Sequence, residues 1–105
     1  MKLTDNDLLF LAAKAICGVF DLPTESITFD GGFEYTQWNP LEDDGDALRL
    51  AVKLAIEISP CPATDSVMCE PKGNPDSTVT VEALDEFGVR RAIVRAAAEI
   101  GRVQP

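Results

Sequence analysis

The sequence predicts an α+β protein with a helix–sheet–helix sandwich, formed by a single domain over residues 1–105. The predicted element order is α-β-β-α-β-β-α, with an antiparallel sheet of about four strands. Three apolar segments at helical spacing alternate with two pairs of short β-rich runs, and each pair is joined by turn-forming residues. A chain of 105 residues is long enough for one hydrophobic core but not for two.

The first helix is predicted to begin after Thr4, an N-cap residue with Asp7 three positions later in a capping-box arrangement. Apolar residues recur at helical spacing over residues 8–20, and Gly18 followed by residues 21–23 is expected to end the helix.

A hairpin is predicted next. Residues 27–29 form a short β-rich run, residues 30–32 (Asp-Gly-Gly) are a turn signal, and residues 33–38 alternate as in a strand. This alternation places Tyr35 and Trp38 on opposite faces of the strand.

The second helix is predicted to begin at Asn39 as N-cap, with Pro40 in the first helical position and Glu42 three residues after the cap. It is expected to extend through residues 47–58, which are apolar around most of the circumference, although Gly45 allows a later start. Residues 66–70 and 78–81 are predicted to form a second hairpin, connected by residues 71–76. No internal repeat is apparent.

The third helix is predicted from residue 82 or 85 to residue 100, and Gly101 is expected to end it. Residues 89–105 contain four arginines and one glutamate, a net charge of +3. This basic segment has two interpretations: docking onto the acidic surface of another copy, or ion pairs within the chain near the C-terminal end of a helix. We favour the second.

The charge balance excludes some partners. The chain has 9 basic and 18 acidic residues, a net charge of −9. Such a surface repels phosphate groups, so direct nucleic-acid binding and anionic membrane binding are disfavoured. If the protein has a macromolecular partner, a basic protein is favoured.

Residue types also argue against an enzyme. The chain has no histidine, the commonest general base and metal ligand, and no phosphate- or dinucleotide-binding glycine motif. We therefore expect no cofactor and no metal. Cys17, Cys61 and Cys69 are an odd number without a C-x-x-C pair, which favours a reducing compartment. With no signal-peptide pattern at residues 1–5, a cytoplasmic location is expected.

The candidate binding site is an acidic run preceded by two aromatic side chains. The run does not have the spacing of a calcium loop, and it also suits the positive end of a helix dipole. The aromatic residues are either anchors for a partner or cover for the edge of the core. The six candidate partner-binding residues are Tyr35, Trp38, Glu42, Asp43, Asp44 and Asp46.

Residues 38–54 (WNPLEDDGDALRLAVKL) and 90–102 (RRAIVRAAAEIGR) resemble small proteins of tailed phages and prophages in the phage ABA-sandwich domain family. The resemblance implies a phage or prophage origin and a helix–sheet–helix sandwich, with no known activity and no catalytic residue to transfer.

These observations predict a non-enzymatic phage accessory protein that binds a basic host or phage protein through its acidic surface. In a sharper version, the protein inhibits its target by mimicking the charge of nucleic acid. The alternative is a structural or self-assembling phage module.

Overall fold

The computed structural model describes residues 3–29, 34–72 and 79–103, and over these ranges the α+β class is confirmed. The described residues form two antiparallel three-stranded sheets instead of one four-stranded sheet, and the order is α-β-β-β-α-β-β-β-α. The elements are α1 (Asp5–Ala15), β1 (Gly18–Asp21), β2 (Ser26–Phe29), β3 (Thr36–Gln37), α2 (Asp44–Lys53), β4 (Ile56–Cys61), a 3-10 turn (Pro62–Thr64), β5 (Ser66–Pro71), β6 (Thr80–Ala83) and α3 (Glu86–Val103).

The first two helices end earlier than predicted, at Ala15 and Lys53, and the apolar runs continue into β1 and β4. Each helix stops where a residue takes a left-handed backbone conformation, Cys17 with φ 63° and Ala55 with φ 52°. Neither residue is glycine, so the sequence contains no local signal for the turn. The predicted helix over residues 47–58 is therefore wrong at its C-terminal end.

The predicted N-cap is confirmed for α1 and wrong for α2. Thr4 caps α1 as expected, because its hydroxyl oxygen accepts a hydrogen bond from the backbone N–H of Asp7 at 3.1 Å. Asn39 does not cap α2. The N-cap is Asp43, whose carboxylate accepts from the N–H of Asp46 at 2.8 Å.

Both predicted hairpins correspond to strands with altered bounds. β3 is shorter than predicted, and the Asp-Gly-Gly turn at residues 30–32 lies outside the described residues. β5 contains the whole of the predicted strand 66–70, whereas β6 starts at Thr80 and contains only the second half of the predicted strand 78–81. Part of their connection, residues 73–78, also lies outside the described residues.

Gly101 lies inside α3 and does not end it. A Cβ atom at this position would lie 1.9 Å from the carbonyl oxygen of Leu11. The glycine therefore lets the backbones of α1 and α3 approach closely.

The structure contains an internal repeat, although none is apparent in the sequence. A helix, a left-handed residue and three antiparallel strands occur twice, as α1-β1-β2-β3 and α2-β4-β5-β6, before α3. In each unit, a four-residue loop joins the first two strands and ends in a second left-handed residue, Glu25 or Asp65.

The same contacts close both loops. The hydroxyl oxygen of Thr24 lies 2.5 Å from that of Ser26. The hydroxyl oxygen of Thr64 lies 2.7 Å from that of Ser66. The sequence signal is correspondingly short: Thr-Glu-Ser-Ile at residues 24–27 matches Thr-Asp-Ser-Val at residues 64–67.

The core lies around α3, which packs against α1, α2 and all three strands of the second sheet. The first sheet joins the core through β1, where Phe20 contacts Phe10 and Trp38 with ring centroids 5.3 and 5.8 Å apart. None of the helices described combines the length and apolar character needed to cross a membrane.

Arginines of α3 form ion pairs within the chain, as in the favoured interpretation, but Arg90 and Arg91 lie near the N-terminal end of α3 and not near its C-terminal end. Arg90 bonds to Asp44 at 2.6 Å and Arg91 to Asp5 at 2.8 Å. These contacts connect α3 to the N-terminal ends of α2 and α1.

Candidate functional site

Four of the six predicted partner-binding residues line one open cleft of about 520 Å³ at the N-terminal end of α2. Among the residues that the structure describes, the lining comprises Glu25, Gln37, Trp38, Asn39, Glu42, Asp43, Asp46 and Arg49. Its four carboxylates and one guanidinium give a net charge of −3. The cleft is therefore polar and strongly acidic.

The turn before α2 forms one wall of the cleft, and Asn39 organises it. The Asn39 side chain accepts from the N–H of Leu41 at 3.1 Å and donates to Glu25 Oε1 at 3.0 Å. The backbone carbonyl oxygen of Asn39 accepts hydrogen bonds from the backbone N–H groups of Glu42 and Asp43 at 3.0 and 2.8 Å. Asn39 thus fixes the turn and holds the carboxylate of Glu25, from the loop between β1 and β2, against it.

Asp46 fastens this turn to α2. Its side chain is nearly buried, and Oδ2 accepts from the backbone N–H of Asn39 at 2.9 Å. The other oxygen accepts from Arg49 at 2.7 Å, and the same guanidinium lies 3.9 Å from Asp43. The cleft geometry therefore already accommodates a guanidinium group between two carboxylates.

The remaining candidates have different surroundings. Tyr35 is 56% exposed but does not line the cleft, whereas Trp38 is only 8% exposed and packs on Phe20. Asp44 does not line the cleft and pairs with Arg90. Glu42 is exposed and has no ion pair with the part of the chain that the structure describes.

The two repeat units differ at the cleft. The N–H of Trp38 bonds to the carbonyl of Glu25, and Leu84 bonds in the same way to Asp65. In the second unit, Asp85 comes directly after Leu84, and its carboxylate accepts a hydrogen bond from the N–H of Gly88. Asp43 accepts in the same way from the N–H of Asp46. The first unit has four additional residues, 39–42, between its strand and its helix, and two of them, Asn39 and Glu42, line the cleft.

Four residues of the lining were not among the predicted residues: Glu25, Gln37, Asn39 and Arg49. Arg49 had a detectable signal, since it follows Asp46 by three residues and such pairs face each other on a helix. Glu25 had no such signal in the sequence, because the pairing of β1 with β2 brings it to the cleft.

The cysteines do not form a site. All three are free: Cys17 is exposed, Cys61 half-buried and Cys69 buried. Among the residues that the structure describes, there is no group of three or more cysteine or carboxylate side chains placed to hold a metal ion.

No protein-family model, curated protein or solved structure matches the chain. The resemblance to the phage ABA-sandwich domain family therefore stays a prediction from the residues quoted above.

Proposed function

We propose that this protein is a non-enzymatic binding protein whose acidic cleft receives a basic segment of another protein. The observation that carries the proposal is the lining of the cleft, in which the described residues include four carboxylates (Glu25, Glu42, Asp43 and Asp46) and one cation, Arg49. A partner's arginine side chain suits this cleft because a guanidinium group donates hydrogen bonds to two carboxylates at once.

The proposal specifies a local site and not mimicry of nucleic acid along the whole surface. Several carboxylates lie at helix N-termini, where they cap the helix or pair with arginines of α3. Carboxylates engaged in this way are less available to imitate a phosphate backbone. Glu42 is the exposed carboxylate best placed to bind a partner at the cleft.

The same proposal includes a phage or prophage origin and a role in the bacterial host cytoplasm. The origin is supported by the resemblance of residues 38–54 and 90–102 to the phage family. Free thiols at all three cysteines are consistent with a reducing compartment.

The test is a titration of a fluorescently labelled arginine-rich peptide into the full chain. The double variant Glu42→Gln/Asp43→Asn removes two charges, and asparagine keeps the helix cap. We expect its affinity to fall about tenfold, since each exposed ion pair contributes up to about 1 kcal/mol. Wild-type binding should also weaken as the salt concentration rises.

The matched control is Glu57→Gln/Asp65→Asn, which makes the same charge change at exposed positions outside the cleft lining. We expect this variant to stay within about twofold of wild type, because salt screens charges far from the bound peptide. Equal loss in the two double variants would mean that net charge alone attracts the peptide, and it would contradict a binding cleft.

The outer face of the second sheet favours the alternative, a self-assembling module. Met68 and Val81 are paired across β5 and β6 and are 38% and 51% exposed. Apolar side chains on an open sheet face can pack against a second copy. Sedimentation velocity tests this function: a dimer that Met68→Glu converts to a monomer would support it, and a wild-type monomer would oppose it.

A further inference from the structure

An apolar groove of about 390 Å³ lies between α2, β4 and α3, outside the cleft. Ala47 and Ile93 are buried and form its floor. Leu48, Ile58 and Val89 form its walls, and Leu48 remains 58% exposed. The groove therefore offers a site for an apolar side chain, which would lose its contact with water on entering.

The rim of the groove is charged. Asp44 and Glu86 are exposed there, and the half-buried Arg90 also lines the groove. The Arg90 side chain is only 15% exposed and already donates to Asp44 and to the carbonyl oxygen of Leu41. Because Arg90 and Asp44 pair with each other, the charge available to a ligand at this rim is mainly the exposed carboxylate of Glu86.

We propose that this groove binds an apolar side chain of a basic protein segment, flanked in that segment by lysine or arginine. The inference rests on the proposed function and extends it, because the first turn of α2 separates the groove from the acidic cleft. Asp43 lines the cleft and the next residue, Asp44, lies at the groove. A single segment crossing this turn places a guanidinium in the cleft and an apolar anchor in the groove.

Charge complementarity favours this occupant over a second copy of the chain. A chain with a net charge of −9 would bring further acidic charge towards Glu86 and towards the neighbouring acidic cleft. Like charges brought together at an interface oppose association, whereas a basic segment is attracted to the same rim.

The experiment compares two otherwise identical arginine-rich peptides, one with a single leucine and the other with alanine in its place. Each is titrated into the full chain by fluorescence anisotropy. We expect the leucine peptide to bind about tenfold more tightly, because its side chain is removed from water in the groove. Leu48→Arg should abolish this preference for leucine.

Val52→Arg is the matched control. Val52 lies one turn further along α2, is 73% exposed and is outside the groove lining. It receives the same charge change on the same helix, and we expect the preference for leucine to persist. Thermal melts monitored by circular dichroism establish that both variants are folded, and exposure of both side chains favours this.

Equal affinity for the two peptides, or equal effects of Leu48→Arg and Val52→Arg, would overturn the groove proposal while leaving the cleft in place. A preference for leucine that survives Glu42→Gln/Asp43→Asn without loss of affinity would instead reject the cleft and retain the groove. Failure of both peptides to bind would reject both. A wild-type dimer that Leu48→Arg makes monomeric would assign the groove to a second copy and overturn the proposal.

Discussion

At the scale of single residues, Asp46 determines the shape of the cleft. Its nearly buried carboxylate holds the backbone of Asn39 on one side and the guanidinium of Arg49 on the other. The acidic run predicts Asp46 as part of a binding surface, and in the fold its carboxylate bonds to Asn39 and Arg49 of the same chain. An acidic run in a sequence does not show which carboxylates are used internally, because this depends on the turn that precedes the helix.

Asp46→Ala should therefore lower the free energy of unfolding by about 2–3 kcal/mol, since it leaves a partly buried N–H of Asn39 without an acceptor. Asp46→Asn keeps an acceptor oxygen and should cost about 1 kcal/mol. Glu42→Ala, at an exposed position, should change stability by less than about 0.5 kcal/mol. Chemical denaturation measures all three, and equal effects of Asp46→Ala and Glu42→Ala would contradict a structural role for Asp46.

Cys69 predicts a pH dependence of stability. Burial raises the pKa of its thiol from 9.0 to about 11. The unfolded chain therefore loses this proton first, so the stabilisation is complete below about pH 9 and is lost as the pH rises towards 11. We expect the free energy of unfolding to fall by up to about 2 kcal/mol over this window.

A Cys69→Ala variant isolates this effect. Hydrogen bonds with Glu70 and Glu57 also raise the pKa of Lys72, which contributes pH dependence of the same sign. Urea denaturation at about pH 8 and about pH 10.5 should therefore give a smaller difference in the alanine variant. An unchanged difference would mean that the thiol is not responsible.

At the scale of elements, local chemistry predicted where a helix begins better than where it ends. The start of α1 was correct because its capping box lies within four residues of sequence. The ends of α1 and α2 were not, because Cys17 and Ala55 adopt left-handed conformations that their residue types do not indicate. Apolar periodicity could not separate these helices from the strands that follow, since a buried strand continues the same apolar run.

Replacing either of two glycines by alanine should change the free energy of unfolding in opposite directions. Gly101→Ala should lower stability by about 3 kcal/mol, because its Cβ would overlap the backbone carbonyl of Leu11. Gly45→Ala should raise stability by up to about 1 kcal/mol, because alanine favours a helix and the nearest atoms are side-chain ends of Asp43 and Arg49 at 3.2 and 3.3 Å, so only a slight shift of the cap and the ion pair is needed. Thermal unfolding compares them, and similar losses in both variants would contradict a specific close approach of α1 and α3.

At the scale of the whole molecule, the α+β class and its antiparallel pairing could be predicted, whereas the division into two sheets could not. The repeat is visible in sequence only as four similar residues at 24–27 and 64–67. The cleft arises where the two units differ, at the additional residues 39–42. Its acidic residues were predictable from the run before α2, but Glu25 and Gln37 join it only through tertiary folding.

The most direct test of the central claim is an NMR titration of the isotope-labelled full chain with the arginine-rich peptide. We predict that the largest shift changes occur at the backbone amides of Asn39, Glu42 and Asp43 and at the indole N–H of Trp38, the only tryptophan. These changes should decrease as salt is added. Shift changes centred on the outer face of the second sheet, or none up to millimolar peptide, would contradict the acidic cleft as the binding site.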